Sequence, residues 1–255
     1  MACGTSIDQK TMKIISPEKF TKLPSAIIFD TDNTLYEYSP AHETALKAVF
    51  VKAKRILGCR EKEFATIYNE SRAEIKKRLG SVASSHSRLL YFQLAIEKIT
   101  GKSNLFATLD LDQTYWRIFL DNAVLFPDVK EFISLVHQIG IKTAVVTDLT
   151  SQIQFRKLIF FGLDDFFDVM VTSEEAGADK PNEAAYLLAL HKLKVVSDKC
   201  WMIGDSYNSD MVGGKNVGLT TLQKIHKGVD EKNHLHQDAI FSDFRGLIDF
   251  IVRMK

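Results

Sequence analysis

Two aspartates, separated by a single threonine, directly follow a short apolar run near the start of the chain. The run AIIF leads into DTDNT, which contains Asp30 and Asp32, as a buried parallel strand leads into the turn at its carboxyl end. Paired carboxylates at such a position are costly unless a positive charge lies between them. A hard, oxygen-preferring cation such as Mg²⁺ would supply that charge, and an Asp-rich turn in solvent is the alternative interpretation.

Three further segments carry side chains that suit anion or metal chemistry. The run VVT ends in the hydroxyl of Thr147, and the run WMIG is followed by Asp205 and then Asp210. In ADKPN the proline suits a first helical turn, which would place Lys180 at a helix entrance where the backbone field favours anions. Taken singly, the same residues are also typical of a capping hydroxyl, an acidic turn and a solvated lysine.

The elements that position these residues alternate between strands and helices in most of the chain. Short, strongly apolar runs predict strands at 26–29, 143–146, 168–171, 200–203, 220–222 and 239–241. Amphipathic spacing predicts helices at 129–138, from about 152, at 183–193, at 209–216 and at the C-terminus. This alternation predicts an α/β fold with a parallel sheet covered on both faces. The carboxyl ends of its strands would bring the four segments to one edge.

Residues 40–122 lack strand-like runs and show helical spacing instead, which predicts about four helices. Helix ends are expected at Gly58, Gly80 and Gly101. Because this insertion follows the first strand directly, it would lie over the crevice where open α/β sheets bind ligands. Its aromatic residues are expected to pack inside it, with contact to a substrate ring as the alternative: Tyr115, Trp116 and Phe119.

These patterns divide the chain into three parts. Residues 1–24 are polar with scattered hydrophobic side chains and are expected to form a loosely attached N-terminal extension. Residues 25–38 and 124–255 are predicted to form the α/β catalytic core, and residues 39–123 the helical cap.

Composition and charge narrow the classes of function. Of 255 residues, 33 are Lys or Arg and 32 are Asp or Glu, so the formal net charge of +1 offers no overall field for nucleic acid or an acidic membrane. Three cysteines without short spacing form neither a disulfide framework nor a zinc motif. No apolar stretch has the length of a signal peptide or a membrane span. We expect a cytoplasmic protein, monomeric or dimeric, that acts on a small molecule.

The order of paired Asp, Thr, Lys and paired Asp resembles the haloacid dehalogenase superfamily of aspartate-nucleophile phosphohydrolases. The resemblance covers residues 26–245, and the insertion resembles the α-helical, C1-type cap of one subfamily. The segments NTLY at 33–36 and SEEAG at 173–177 are also similar to its nucleotidase and sugar-phosphatase-type members. The resemblance implies a Rossmann-like, doubly wound parallel sheet with an inserted all-helical cap.

The resemblance also implies a mechanism. Asp30 would attack phosphorus and form an aspartyl-phosphate that water then cleaves, and an ionised aspartate needs no general base for this attack. Mg²⁺ would be held by Asp30, the backbone carbonyl of Asp32, and Asp205. The catalytic residues would be Asp30, Asp32, Thr147 and Lys180. The phosphate would be bound by Thr31, Asp32, Thr147, Asp148 and Lys180.

Charge counting favours one protonated carboxyl in this site. Four aspartates face the three positive charges of Mg²⁺ and Lys180, so protonation of one aspartate would make the site neutral. The resemblance assigns that acid and base role to Asp32, which would protonate the leaving group and then activate water. Asp210 and Ser206 are placed as supports of the metal shell or of Lys180, although Ser209 stands where the family usually has Asn.

The leading interpretation is a Mg²⁺-dependent phosphatase for a small phosphomonoester, such as a nucleotide, a sugar phosphate or a phosphoglycolate-like compound. A phosphotransferase such as a sugar-phosphate mutase is the main alternative. A dehalogenase is disfavoured because dehalogenases of this superfamily lack the acid at the position of Asp32. A non-catalytic binding protein is disfavoured because unused clustered carboxylates would cost stability. Three histidines in a polar segment are expected to lie in a solvated loop, with a transition-metal site as the alternative: His226, His234 and His236.

Overall fold

The computed structural model describes residues 12–226 and 235–255, and within them seven strands form one sheet. The strands are β1 (Met12–Ile14), β2 (Ala26–Phe29), β3 (Lys142–Thr147), β4 (Val169–Thr172), β5 (Cys200–Gly204), β6 (Thr220–Lys224) and β7 (Ala239–Phe241). Their order is β1-β7-β6-β5-β2-β3-β4, and every neighbouring pair is parallel except β1 with β7. The predicted α/β fold with a parallel sheet is confirmed.

Strand β2 lies inside the sheet and is apolar on both faces. Ile27 and Phe29 belong to the hydrophobic core on one side, and Ala26 and Ile28 to the core on the other. Its ladder partners are β3 and β5. A strand that is buried on both faces has a continuous apolar sequence. Asp30 follows directly after this strand and therefore lies at the edge of the sheet.

Four helices lie between β2 and β3: α1 (Tyr38–Leu57), α2 (Glu61–Leu79), α3 (Arg88–Thr100) and α4 (Leu105–Asn122). They pack as α1 on α4 and α2 on α3, and we call them the helical insertion. The first three end at the glycines expected from the sequence, each with a positive φ. The aromatic side chains of α4 at positions 115, 116 and 119 are buried within it. The division into a cap at 39–123 and a core at 25–38 and 124–255 stays a prediction.

The remaining helices are α5 (Val129–Gln138), α6 (Ser151–Phe161), α7 (Ser173–Ala176), α8 (Ala184–Leu193), α9 (Val212–Asn216) and α10 (Phe244–Met254). Helix α8 packs on β3 and β4, whereas α5 and α10 pack on each other, with α5 against β3 and α10 against β7. In the described parts of the chain, no helix combines the length and the apolar character that a membrane span requires.

The helix predicted at 183–193 is confirmed as α8, but the placement of Lys180 before it and the start of the next helix differ from the prediction. Helix α8 begins at Ala184, so Lys180 lies in the turn before it rather than at its entrance. The turn is held by side-chain oxygens, because Asp148 accepts from the backbone N–H of Lys180 and Asn182 from that of Ala184. The helix expected at 209–216 instead begins with a π-helical turn, Tyr207–Met211, that runs into α9.

The expected loose attachment of residues 1–24 is wrong for the part that the structure describes. Strand β1 pairs antiparallel with β7. Phe20 is buried, and its ring centroid lies 5.2 Å from that of Trp201 and 5.6 Å from that of Phe250. A three-residue strand is too short for its alternation to be recognised in a sequence.

Candidate active site

Three neighbouring strands end at one cavity of about 390 Å³. Asp30 follows β2, Thr147 ends β3 and Asp205 follows β5, so the parallel register of these strands brings the three side chains together. The cavity is also lined by other residues that the sequence singled out, namely Asp32, Asp148, Lys180, Ser206 and Asp210.

Lys180 is a buried cation between two aspartates of this site. Its Nζ donates to Asp30 Oδ1 and to Asp210 Oδ1, each at 2.6 Å. Asp210 is fully buried, and its Oδ2 accepts from the backbone N–H of Ser206 at 3.0 Å. Asp210 therefore contacts Lys180 directly. A Cβ on Gly204 would lie 2.3 Å from Asp210 Oδ2, so this contact requires glycine at the end of β5.

Carboxylate oxygens of Asp30, Asp205 and Asp210 all lie within 4.8 Å of one another. Burial, opposed by Lys180 and reinforced by Asp210, raises the pKa of Asp30 to about 7. Burial, reinforced by Asp30 and Asp210, raises the pKa of Asp205 to about 8. A group of oxygen donors that carry more negative charge than one lysine balances fits a hard divalent cation such as Mg²⁺.

The nucleophile candidate and the phosphate-binding candidates are oriented by hydroxyl and amide groups. Thr34 Oγ1 donates to Asp30 Oδ2 at 3.1 Å. The hydroxyls of Thr31 and Thr147 lie 2.8 Å apart, and the buried Gln154 donates to Thr147 Oγ1 at 2.8 Å. The sequence analysis did not find Thr34 or Gln154, since neither type stands out in a turn or a helix.

Asp32 differs from the expectation that it carries the proton. Lys157 Nζ lies 2.7 Å from its Oδ1 and 3.0 Å from its Oδ2, and the hydroxyl of Tyr36 donates to Oδ1. Burial alone would raise the pKa of Asp32, but the charge of Lys157 and the hydrogen bonds from Lys157 and Tyr36 outweigh it and lower the pKa. This arrangement favours the ionised form of Asp32, whereas burial raises the pKa values of Asp30, Asp205 and Asp210.

Lys157 is the main functional candidate that the sequence analysis missed. It lies on α6, its side chain is 1% exposed, and its ammonium stands 5.6–5.7 Å from the ring centroids of Tyr36, Trp116 and Phe119. The available signal was a lysine on the apolar face of α6. A lone lysine in an amphipathic helix is usually solvated, so that signal is weak.

The helical insertion supplies the opposite wall of the cavity. Tyr38, Arg72, His86 and Arg88 line it. His86 Nε2 lies 3.0 Å from Oδ2 of Asp179, which links the insertion to the loop that carries Lys180. None of these four insertion residues was recognised in the sequence, because their positions along the chain carry no motif.

The structure describes two of the three histidines that were expected in a solvated loop. His226 Nε2 lies 3.6 Å from Asp205 Oδ2, and His236 Nδ1 lies 2.7 Å from the hydroxyl of Tyr207. Both side chains are half-buried. His234 lies outside the described residues.

A family model described as haloacid dehalogenase-like hydrolase matches residues 24–218. The chain is 36% identical over 201 residues to a ribulose-1,5-bisphosphate 5-phosphatase of Halopiger xanaduensis, which covers 78% of this chain and 84% of the relative. It is 28% identical over 235 residues to a glyceraldehyde 3-phosphate phosphatase of Methanopyrus kandleri, with 89% and 96% covered. The crystal structure of a HAD phosphatase from Thermococcus onnurineus superposes with a TM-score of 0.71 at 26% identity, covering 89% of this chain and 97% of that one.

Proposed function

We propose that this chain, which belongs to the haloacid dehalogenase-like hydrolase family, is a Mg²⁺-dependent sugar-phosphate phosphatase that works through an aspartyl-phosphate on Asp30. It is a phosphoric monoester hydrolase. The observation that carries the mechanism is the placement of Asp30 at a strand end with Lys180 on one carboxylate oxygen and Thr34 on the other.

The partners of the Asp30 carboxylate fix its position but leave some of its lone pairs unused. A carboxylate has about four lone-pair sites, and Lys180 and Thr34 take one on each oxygen. The remaining sites are available for a cation and for attack on phosphorus. Asp30, Asp205 and the backbone carbonyl of Asp32 would hold Mg²⁺, which when bound supplies positive charge to carboxylate and phosphoryl oxygens.

Phosphoryl binding would fall to the hydroxyls and cation around Asp30. Thr147 ends β3 beside Asp30 and is fixed by Gln154. Lys180 adds a buried positive charge next to the oxygens of the transferred group. Such groups, fixed before the reaction begins, stabilise developing charge at little reorganisation cost.

Asp32 would move the protons. As the ionised partner of Lys157, it is already the base that the second half-reaction needs, taking a proton from the water that attacks the aspartyl-phosphate. In the first half-reaction its carboxyl must leave Lys157, take up a proton and pass it to the oxygen of the departing sugar.

The helical insertion would limit the substrate to a small molecule. A cavity of about 390 Å³ with the helical insertion beside it would accommodate a sugar phosphate and disfavour a phosphorylated protein. A mutase would return the phosphoryl group to the sugar and release isomerised sugar phosphate instead of free phosphate.

The test is phosphate release from a panel of sugar phosphates with Mg²⁺, for the wild type and for Asp30→Asn. We expect Asp30→Asn to lose at least about 10³-fold in kcat, because the attacking anion is gone while the side-chain shape stays. Asp110→Asn is a matched control, since Asp110 pairs with Lys52 on the helical insertion. Binding of beryllium fluoride, followed by ¹⁹F NMR, should be lost in Asp30→Asn. Near-wild-type turnover in Asp30→Asn would exclude the covalent mechanism.

A further inference from the structure

The cavity has two walls of opposite charge. Asp30, Asp205 and Asp210 gather at the strand ends, whereas Arg72 of α2 and Arg88 of α3 line the wall that the helical insertion provides. The acidic wall is accounted for by a metal ion and the transferred phosphoryl group. The two guanidiniums opposite have no role in that chemistry.

The partners of Arg88 are all neutral. Its guanidinium donates to the backbone oxygen of His86 at 2.6 Å and to the hydroxyl of Tyr38. It also lies 5.4–6.0 Å from the ring centroids of Tyr38, Tyr115 and Trp116. Its Nε is buried without an acceptor. Across residues 12–226 and 235–255, neither Arg72 nor Arg88 forms an ion pair with a carboxylate.

Two neighbouring basic groups respond to the charges of Arg88 and Arg72. Burial, then Arg88 and Arg72, lower the pKa of His42 to about 4. Burial, then Arg72 and Arg88, also lower the pKa of Lys76. Arg72 is exposed and stays hydrated, but the largely buried Arg88 pairs with no carboxylate, and burial of a cation without an ion-pair partner costs stability. Ring stacking explains how Arg88 is held in place, but an apolar side chain would fill the same space without that cost.

We propose that Arg72 and Arg88 form a subsite for a second phosphate of the substrate, so that the enzyme selects sugar bisphosphates over sugar monophosphates. This proposal rests on the proposed phosphatase function. Guanidinium groups match the oxygens of a phosphate in geometry as well as charge. Two guanidiniums balance a phosphate dianion, whereas a carboxylate would leave one of them unmatched. One end of the substrate would meet Asp30 and the other end the helical insertion.

The test compares two substrates that share one sugar and one 5-phosphate, ribulose 1,5-bisphosphate and ribulose 5-phosphate. In Arg88→Met and Arg72→Met, we expect kcat/KM for the bisphosphate to fall about 10- to 100-fold, mainly through KM, because charge-assisted hydrogen bonds are lost. The preference of the wild type for the bisphosphate over the monophosphate should shrink accordingly. Arg78→Met is the matched control on α2, where Arg78 is exposed and does not line the cavity, and it should keep the preference.

Two results would overturn the subsite. If Arg88→Met lowers kcat/KM equally for both substrates, Arg88 is a structural support of the aromatic side chains. If neither variant alters the preference, the guanidiniums do not bind the second phosphate.

A binding measurement separates the subsite from the proposed function. Calorimetric titration of Asp30→Asn should show tighter binding of ribulose 1,5-bisphosphate than of ribulose 5-phosphate, and that difference should disappear when Arg88→Met is added. This result would stand even if the wild type released no phosphate. Failure of the bisphosphate to bind more tightly than the monophosphate would overturn the subsite whatever the phosphatase assay shows.

Discussion

The ammonium of Lys157 and the carboxylate of Asp32 form an ion pair at the junction of the sheet and the helical insertion. The two N···O distances are 2.7 and 3.0 Å, and the rings of Trp116 and Phe119 on α4 cover the ammonium. A displacement of α4 would change the surroundings of both charges. The ionisation of the proposed acid and base is therefore tied to the position of the insertion.

Replacing Lys157 should alter the proton chemistry more than the attack on phosphorus. In Lys157→Met, the pKa of Asp32 should rise because the cation that lowers it is gone. We expect the acidic limb of the pH profile of kcat to move to higher pH, and kcat for a sugar phosphate to fall about tenfold. Lys157→Arg should restore part of the activity.

The matched control for that variant is Lys215→Met, whose ammonium pairs with Asp238 at 2.6 Å on another part of the fold. It should leave the pH profile where it is. An unshifted profile in Lys157→Met would contradict the assigned influence of Lys157 on Asp32.

Asp32→Ala should penalise poor leaving groups selectively. Acid assistance is worth roughly 10²–10⁴-fold for an alkoxide, and an aryl oxide needs much less of it. The loss in kcat should therefore be larger for a sugar phosphate than for p-nitrophenyl phosphate when phosphoryl transfer to Asp30 limits the rate. Single-turnover measurement of both substrates checks this. Equal losses would remove Asp32 from the role of acid.

Activity should depend on a divalent cation. We expect chelation with EDTA to abolish phosphate release and Mg²⁺ to restore it, with Mn²⁺ as a substitute because it accepts the same oxygen ligands. Excess Ca²⁺ should inhibit, since it prefers longer bonds and more ligands. Asp205→Ala should raise the Mg²⁺ concentration needed for half-maximal activity, and circular dichroism should show unchanged helix content. Activity that survives rigorous chelation would exclude the metal.

Metal-free protein should lose stability as the pH rises through neutrality. The pKa values of Asp30 and Asp205 are about 7 and about 8 in the folded chain, against about 3.9 in an unfolded one. Between these limits the native state binds more protons than the unfolded state, so the free energy of unfolding falls with increasing pH. Thermal melts in EDTA should give a lower Tm at about pH 8.5 than at about pH 6.

Binding of Mg²⁺ should release those protons, so its apparent affinity should increase over the same interval. Calorimetry in two buffers of different ionisation enthalpy measures the proton release. In Asp205→Asn, both the Tm in EDTA and the apparent Mg²⁺ affinity should change less with pH. A Tm and a Mg²⁺ affinity that do not change with pH would contradict the raised pKa values.

Phe20→Ala should destabilise the whole fold although Phe20 precedes the region of the family match. Its ring packs between Trp201 and Phe250, and truncation of a buried phenylalanine costs about 3–5 kcal/mol. Urea unfolding measures the loss. Phe106→Ala is the matched control, because the side chain of Phe106 is 82% exposed, and its unfolding midpoint should not move.

The strand ends were predictable because their signal is local. An apolar run followed by a polar turn identifies Asp30 and Asp205, and parallel strands place such turns along one edge without any knowledge of the strand order. Thr147 follows the same rule. The sheet therefore brings together the residues that the sequence singled out.

Lys157 and Arg88 were not predictable because their surroundings are assembled from distant segments. Lys157 is 125 positions from Asp32, and Arg88 depends on rings contributed by α1 and α4. The lowered pKa of Asp32 was not predictable for the same reason. Counting charges gives the number of protons that a site holds, whereas the burial and contacts of each carboxyl decide where they reside.

The order of the strands has a consequence for where the chain can be shortened. The family match ends at residue 218, but β6, β7 and β1 lie beyond β5 on that side of the sheet. A fragment cut at the limits of the match would turn β5 into an edge strand whose residues are all buried in the intact sheet. Exposed backbone donors and acceptors on an apolar strand invite edge-to-edge aggregation. A shortened protein should therefore extend to β6, β7 and the antiparallel strand β1, which forms that edge of the intact sheet.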